Sequence, residues 1–307
     1  MKTILAVDST SGILSVSLSK GFNILSEIKD DKSTKHMVNI IGDIDYVLKK
    51  AGKTIKEADL FAVNLGPGDF TGGRIGISIL KMFSMLSGNP VFGFNSLDVF
   101  SVGCMLKNIG IISKNISDFS QLYIMPLMDV RSNEIYCGIY EASSIFNENT
   151  TIFSFDFEEK KYFLNKISGG FLLNSDDFSE KISQIINQVN LSDDRSPLSF
   201  SQLLEDNNSG KKLSQNKVQN NRNELGQKKQ CFIVTANALN TYRKLLENLK
   251  REIQINSMET DIILDDKNTN PSSEYINFLA DYSCSFSLKH LPIAPVYVRD
   301  FIVFGRK

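Results

Sequence analysis

Val63-Asn64-Leu65-Gly66-Pro67-Gly68-Asp69-Phe70-Thr71-Gly72-Gly73-Arg74-Ile75-Gly76 is the stretch on which the fold turns. The apolar run at 60–65 reads as a strand, Gly-Pro-Gly as a tight turn, and 74–86 as a helix that stops at Ser87-Gly88-Asn89-Pro90. Strand, glycine turn and helix in that order make one unit of an α/β fold. Glycines at such a turn let the backbone approach a phosphate at the positive end of a helix. They also suit a turn that needs only close packing, and that reading stands level with the first. The stretch lacks the lysine of a P-loop, and Phe94-Asn95 after the next strand supplies no acidic residue for a dinucleotide fold. Asp69 adds negative charge inside the would-be cradle.

Upstream, residues 3–7 read as a buried strand that breaks at the turn Asp8-Ser9-Thr10-Ser11-Gly12. Leu14, Val16 and Leu18 alternate on one face, and 24–28 pairs back after Gly21, giving a β-meander. Met37, Ile40, Ile41, Ile44, Val47 and Leu48 recur at helical spacing, with Gly52 past the end. Thr54 with Glu57 fits a capping box, 91–94 a strand, and Ser96 a cap for the next helix. The turn after Asp8 is a second candidate loop. Its N–H groups and hydroxyls could form an anion nest, with Asp8 placed to hold a hydrated metal; an ordinary hairpin turn rich in small polar residues is the reading the sequence favours. The candidate phosphate-loop residues are thus Asp8, Ser9, Thr10, Gly66, Gly68, Thr71 and Gly72. From 75 to 86, eight of twelve residues are apolar and cover most of the helix circumference, which calls for burial in a core or against a partner.

Downstream the pattern weakens. Segments 122–129 and 135–140 flank Arg131-Ser132-Asn133-Glu134 as a hairpin, and 179–189 reads as a helix. Residues 194–229 hold seven apolar side chains in thirty-six, with six Asn and four Gln, too few to offset ordering entropy by burial. A disordered insertion is expected there. A strand at 231–234 and helices at 240–250 and 272–283 follow, the last capped by Ser272 after Pro271, before Pro295-Val296-Tyr297-Val298-Arg299-Asp300. The expected division is 1–103 as a first domain and 104–270 as a second. The segment from about 271 to 307 is expected to return to the first.

Composition excludes several functions. With 34 basic against 35 acidic residues the formal charge is −1, so no dominant polybasic nucleic-acid surface is expected. The opening apolar run is too short for a signal peptide and no run approaches a membrane span, so a soluble cytoplasmic protein is expected. Cys104, Cys137, Cys231 and Cys284 form no CxxC pair and only His36 and His290 occur, so no metal site or cofactor is signalled. No G-x-S-x-G elbow is present either.

Residues 4–10, Ile-Leu-Ala-Val-Asp-Ser-Thr, and the stretch 63–76 together closely resemble the TsaB (YeaZ) family, whose members take part in making threonylcarbamoyladenosine in tRNA. Met128-Asp129-Val130-Arg131-Ser132-Asn133-Glu134-Ile135-Tyr136 is similar to that family's Asp-Ala-Arg…Glu-Val-Tyr hairpin, and Pro295-Val296-Tyr297-Val298-Arg299 also matches. The strong stretch covers about the first hundred residues. Departures are Asp69 where the family usually has Ser, Gly73 where a larger residue is common, and the polar segment 194–229. The resemblance implies the actin/Hsp70-like (ASKHA) fold: two related α/β domains, each a mixed five-stranded sheet with helices.

It further implies a protein without catalysis of its own. The related TsaD subunit binds a metal through paired histidines on a helix, whereas here His36 has no second histidine near it. The expected role is a non-catalytic partner of a TsaD-like transferase, joined by a TsaE-like ATPase. It would be a homodimer when free and would touch tRNA only indirectly. Family members associate through helices of the first domain, so a four-helix contact is expected, with Ile40, Ile44, Met82 and Met85 as interface residues. The competing reading is an ASKHA small-molecule kinase, or another nucleotide-dependent enzyme, using Asp8 and both glycine loops. A peptidase reading finds neither a metal pair nor a nucleophile triad.

Overall fold

Three strands, β1 (Thr3–Asp8), β2 (Leu14–Lys20) and β3 (Asn23–Asp30), open the chain as an antiparallel meander. The computed structural model describes residues 1–30, 36–118, 121–129, 134–174, 178–191, 230–237, 239–256, 260–266, 270–286 and 294. α1 (His36–Lys50) leads through a 3₁₀ turn (Ile55–Glu57) to β4 (Leu60–Asn64), α2 (Phe70–Ser87), β5 (Val91–Phe94) and α3 (Ser96–Lys107). β4 lies parallel to β1, and β5 parallel to β4, giving the sheet order β3-β2-β1-β4-β5. On one face Leu5, Val7, Leu14, Val16, Leu18, Phe61 and Val63 are closed over by Ile40, Ile44, Val47 and Leu48 of α1 and Ile77 and Leu80 of α2. Strand side chains alternate, so Ser15, Ser17 and Ser19 turn to the other face, where α7 (Ser273–Phe286) docks. This first unit comprises residues 1–103, Met128 and Asp129, and the segment that carries α7.

The second unit has its own mixed sheet, in the order β11-β10-β6-β7-β9-β8. Its strands are β6 (Gln121–Asp129), β7 (Glu134–Ser143), β8 (Thr151–Phe157), β9 (Lys160–Asn174), β10 (Gln230–Ala236) and β11 (Thr260–Asp265). Its helices are α4 (Ile109–Asp118), α5 (Phe178–Leu191) and α6 (Leu239–Asn256). β10 is parallel to both β6 and β11, whereas β9 is antiparallel to β7 and β8. The core includes Met125, Ile139, Phe178, Ile182, Phe232, Val234 and Leu246. The order β9-β7-β6-β10-β11 repeats β3-β2-β1-β4-β5, so the two α/β units are related, as the resemblance implies. The second sheet has six strands instead of five because β8 folds back on the long β9.

Local details differ from the sequence reading. α2 starts at Phe70, not near 74, so Thr71, Gly72 and Gly73 belong to its first turn. Glycine is a poor helix former, costing about 1 kcal/mol each, so the helix starts here through packing and capping against propensity. The Thr54–Glu57 pair is present, Glu57 accepting the Thr54 N–H at 2.8 Å, but on the 3₁₀ turn alone. Asn95, not Ser96, caps α3, its side-chain oxygen accepting the Leu97 N–H at 2.8 Å. At α7 the Ser272 carbonyl, not its hydroxyl, accepts the Tyr275 N–H, at 3.1 Å. The segments 194–229, 130–133 and 295–300, on which an insertion, a hairpin turn and a terminal motif are expected, lie outside the described residues. No described helix is long and apolar enough to cross a membrane.

Candidate functional site

The loop after β1 and the loop after β4 meet, because parallel pairing of these strands brings their carboxyl ends side by side. Asp8 ends β1 fully buried. One carboxylate oxygen accepts the Thr10 N–H at 2.9 Å and the Thr10 hydroxyl at 2.8 Å, and the other accepts Asn64 Nδ2–H at 2.9 Å. Burial pushes the Asp8 carboxyl above the usual carboxylate range, against the pull of the bonds from Asn64 and Thr10. Asn64 Oδ1 in turn accepts the Gly66 N–H at 3.0 Å and lies 2.8 Å from the Ser96 hydroxyl. That hydroxyl is also 2.7 Å from the Pro67 carbonyl, and its single proton serves one acceptor at a time. The Ser96 N–H donates to Gly66 O at 2.9 Å, across a turn whose Gly66–Pro67 bond is cis.

Two glycines let the loops touch. A Cβ on Gly68 would collide with the Thr10 carbonyl oxygen, and one on Gly72 with the Ser9 carbonyl oxygen. In the space these glycines leave, the Asp69 N–H donates to Thr10 O at 2.5 Å and the Ser9 hydroxyl to Gly72 O at 2.8 Å. Asp69 then caps α2, its carboxylate accepting the Gly72 N–H at 2.6 Å. This carboxylate sits where a bound phosphate would meet the positive end of the helix. The sequence reading made Asp69 a charge that repels phosphate; the structure makes it the cap that takes a donor phosphate would use. Asp8, Ser9, Thr10, Gly66, Gly68 and Gly72 are brought together, while Thr71 is exposed on the first turn of α2. Asn64 and Ser96, the hubs of this network, were not among the expected site residues. Their signal was a polar residue ending an apolar strand, and a serine placed to face it across β5.

The helices are the other candidate site. Ile40 and Ile44 are 1% and 2% exposed and belong to the core beneath α1, so the structure removes them from any interface. Among the described residues of α1, the outward apolar side chains are Ile41 and Tyr46. On α2, Met82 is 42% exposed, Met85 86% and Leu86 77%. The helix is therefore not covered on all sides: Ile77 and Leu80 face the core, and its last two turns hold apolar side chains in solvent. At its other end Arg74 stacks on the exposed Phe70 ring, 3.7 Å from the centroid.

The thiols offer no ready nucleophile. Burial pushes the thiols of Cys104 and Cys137 far up and that of Cys231 up to about 12, and it raises Cys284 as well. Among the described residues no three His, Cys, Asp or Glu side chains gather as a metal site would require.

A family model described as TsaD, tRNA N6-adenosine threonylcarbamoyltransferase, matches residues 24–151. A Buchnera aphidicola (subspecies Schizaphis graminum) protein, named tRNA threonylcarbamoyladenosine biosynthesis protein TsaB, is 26% identical over 164 residues. That match covers 53% of this chain and 70% of the Buchnera protein. Proteins of the same name from Bacillus subtilis and Escherichia coli are 24% and 26% identical over 139 and 140 residues. Each match covers 45% of this chain but only 55% and 54% of those two proteins, about half their length. Among solved structures, YeaZ from Pseudomonas aeruginosa is similar at a TM-score of 0.56 and 15% identity, covering 97% of this chain and 100% of that one. A Pseudomonas aeruginosa protein described as uncharacterized, with similarity to peptidase YEAZ, gives 0.58 at the same identity and coverage. At that identity the likeness is one of fold.

Proposed function

We propose that the chain is a member of the TsaB/YeaZ family, which it resembles, and that it works in threonylcarbamoyladenosine synthesis on tRNA as a non-catalytic partner of a TsaD-like transferase. The transferase would carry the threonylcarbamoyl group to the adenosine beside the anticodon, and a TsaE-like ATPase would join the pair. In this reading the protein is cytoplasmic, a homodimer when free, and touches tRNA only through its partners.

One observation carries the proposal. The two loops that could cradle a nucleotide fill each other: Ser9 and Thr10 occupy the room beside Gly68 and Gly72, and Asp69 holds the end of α2. A phosphate would have to displace a carboxylate already bonded to the N–H it needs, and would meet like charge there. What the first unit presents to solvent instead is apolar helix surface: Met82, Met85 and Leu86 on α2, with Ile41 and Tyr46 on α1. Apolar anchors that can enter a partner's pocket carry most of the energy of an association. We assign these side chains to a four-helix contact, two helices from each subunit, with a second copy or with the TsaD-like protein.

The test has two arms. Co-purification of the chain with a TsaD-like protein is expected, and calorimetry is expected to find no micromolar ATP site in the isolated chain. Micromolar ATP affinity without co-purification would favour the small-molecule kinase reading that uses Asp8 and the glycine loops.

A further inference from the structure

The described methionines fall into two environments. Met105, Met125 and Met128 are at most 1% exposed, whereas Met82 and Met85 stand in solvent on the last turns of α2, beside Leu86. Three residues apart on a helix, these two side chains are surface neighbours, their Cβ atoms about 5–6 Å from each other. The helix beneath is held by other groups. Ile77 and Leu80 anchor it in the core, the Phe83 ring lies 6.2 Å from the Phe61 ring, and the Gly88 N–H closes the end on Ser84 O. Met1 is exposed as well, but its sulfur lies beside Gly21 in the turn between β2 and β3.

We propose that Met82 and Met85 are a paired oxidation site through which hydroperoxides reversibly switch off the contact surface of α2. The selectivity of the site follows from exposure alone; its consequence rests on the four-helix contact proposed above. Each thioether sulfur attacks the outer oxygen of the hydroperoxide and the O–O bond breaks. The departing oxygen takes up the proton lost from the new S–OH group and leaves as water or an alcohol, and the sulfur, oxidised by two electrons, is a sulfoxide. The product is a polar side chain with a strong hydrogen-bond acceptor where a soft apolar one stood. In the free chain water satisfies that acceptor, so the fold is untouched. In a helix contact the same oxygens would be buried against apolar groups without a donor. Burial in the contact also shields both sulfurs, so association and oxidation exclude each other. A thiol-dependent sulfoxide reductase restores the surface, the oxygen leaving as water while two thiols close to a disulfide.

Hydrogen peroxide is the probe, applied to the full chain and read by peptide mass spectrometry. Met82 and Met85 should each gain one oxygen at a dose that leaves Met105, Met125 and Met128 unmodified, and the thermal midpoint should not move. By equilibrium sedimentation the oxidised chain should associate with the TsaD-like protein, or with a second copy, at least about tenfold more weakly. Met82→Leu with Met85→Leu keeps the apolar anchors. That variant should associate as the wild type does and stay unchanged by peroxide, although Met1 is still oxidised. Oxidation of buried and exposed methionines alike, full association by the oxidised chain, or equal peroxide sensitivity in the double variant overturns the inference and leaves the contact standing. Absence of association in the unoxidised chain overturns the contact, and the switch with it.

Discussion

The two ends of α2 are built to opposite specifications. At the N-terminal end its donors turn inward, Gly72 N–H to Asp69 and the preceding Asp69 N–H to Thr10, and the neighbouring loop leaves no room for a Cβ at Gly68 or Gly72. At the C-terminal end the backbone is equally tidy, Gly88 in a left-handed cap donating to Ser84 O at 2.9 Å, but Met82, Met85 and Leu86 stand in solvent. A ligand at the first end would have to break bonds the chain already makes. A partner at the second gains apolar burial at no such cost. The difference separates where a nucleotide-binding fold would do chemistry from where this molecule has surface to offer.

The sharpest way to break the contrast is Gly72→Ala. Its methyl meets a backbone oxygen that cannot swing aside, so a loss of about 3 kcal/mol is expected, read as a lower denaturation midpoint. At the opposite end Met85→Glu, alone or with Met82→Glu, should leave thermal stability within about 0.5 kcal/mol, because an exposed charge costs the monomer little. Association with the partner or a second copy should weaken by about 2 kcal/mol or more, some thirtyfold in pull-down or equilibrium binding. If partner binding is unchanged in a folded double variant, the contact lies elsewhere.

Asp8 probes the sealed end by pH. Its folded carboxyl titrates above the unfolded value, so the folded state binds the proton more tightly. Its contribution to stability is therefore full below the unfolded carboxylate value and is lost as pH rises through the folded one. Asp8→Asn removes that dependence while placing an amide against the Asn64 donor, for a cost of about 1–2 kcal/mol. The stability gap between wild type and Asp8→Asn, measured by urea melts, should be widest in acid and narrow as pH rises. A gap that widens with pH would mean a carboxylate that is ionised and stabilised in place.

The smallest expected effect is at the cap. Asp69→Ala should cost about 1 kcal/mol by removing the acceptor of the Gly72 N–H, and Asp69→Ser should be nearly neutral because serine also caps. Neither should create ATP binding on calorimetry, since Ser9 and Thr10 still fill the space beside the glycines.

Much of the first unit is legible from local pattern. The alternation at Leu14, Val16 and Leu18 and the helical spacing from Ile40 to Leu48 both place apolar side chains in the observed core. Interface residues were harder for the same reason: Ile40, Ile41 and Ile44 are chemically alike, and only the docked helix puts the first and third inside and the second out. The β8–β9 hairpin and α4 escaped the reading because their patterns are weak and their pairing is set by a sheet assembled from distant strands.

The sequence by itself determined the α/β class, the meander, the places of both glycine loops and the family they resemble, because periodicity and glycine turns are local properties of the chain. Tertiary structure decided what the loops do and which apolar residues remain outside. Asp69 reads as a stray charge until the helix start is seen beneath it. Asn64 and Ser96 become hubs only when β1, β4 and α3 bring Asp8 and Gly66 within hydrogen-bond reach. Contacts between residues 56 or 86 positions apart follow from how strands pair in space, which no local spacing encodes.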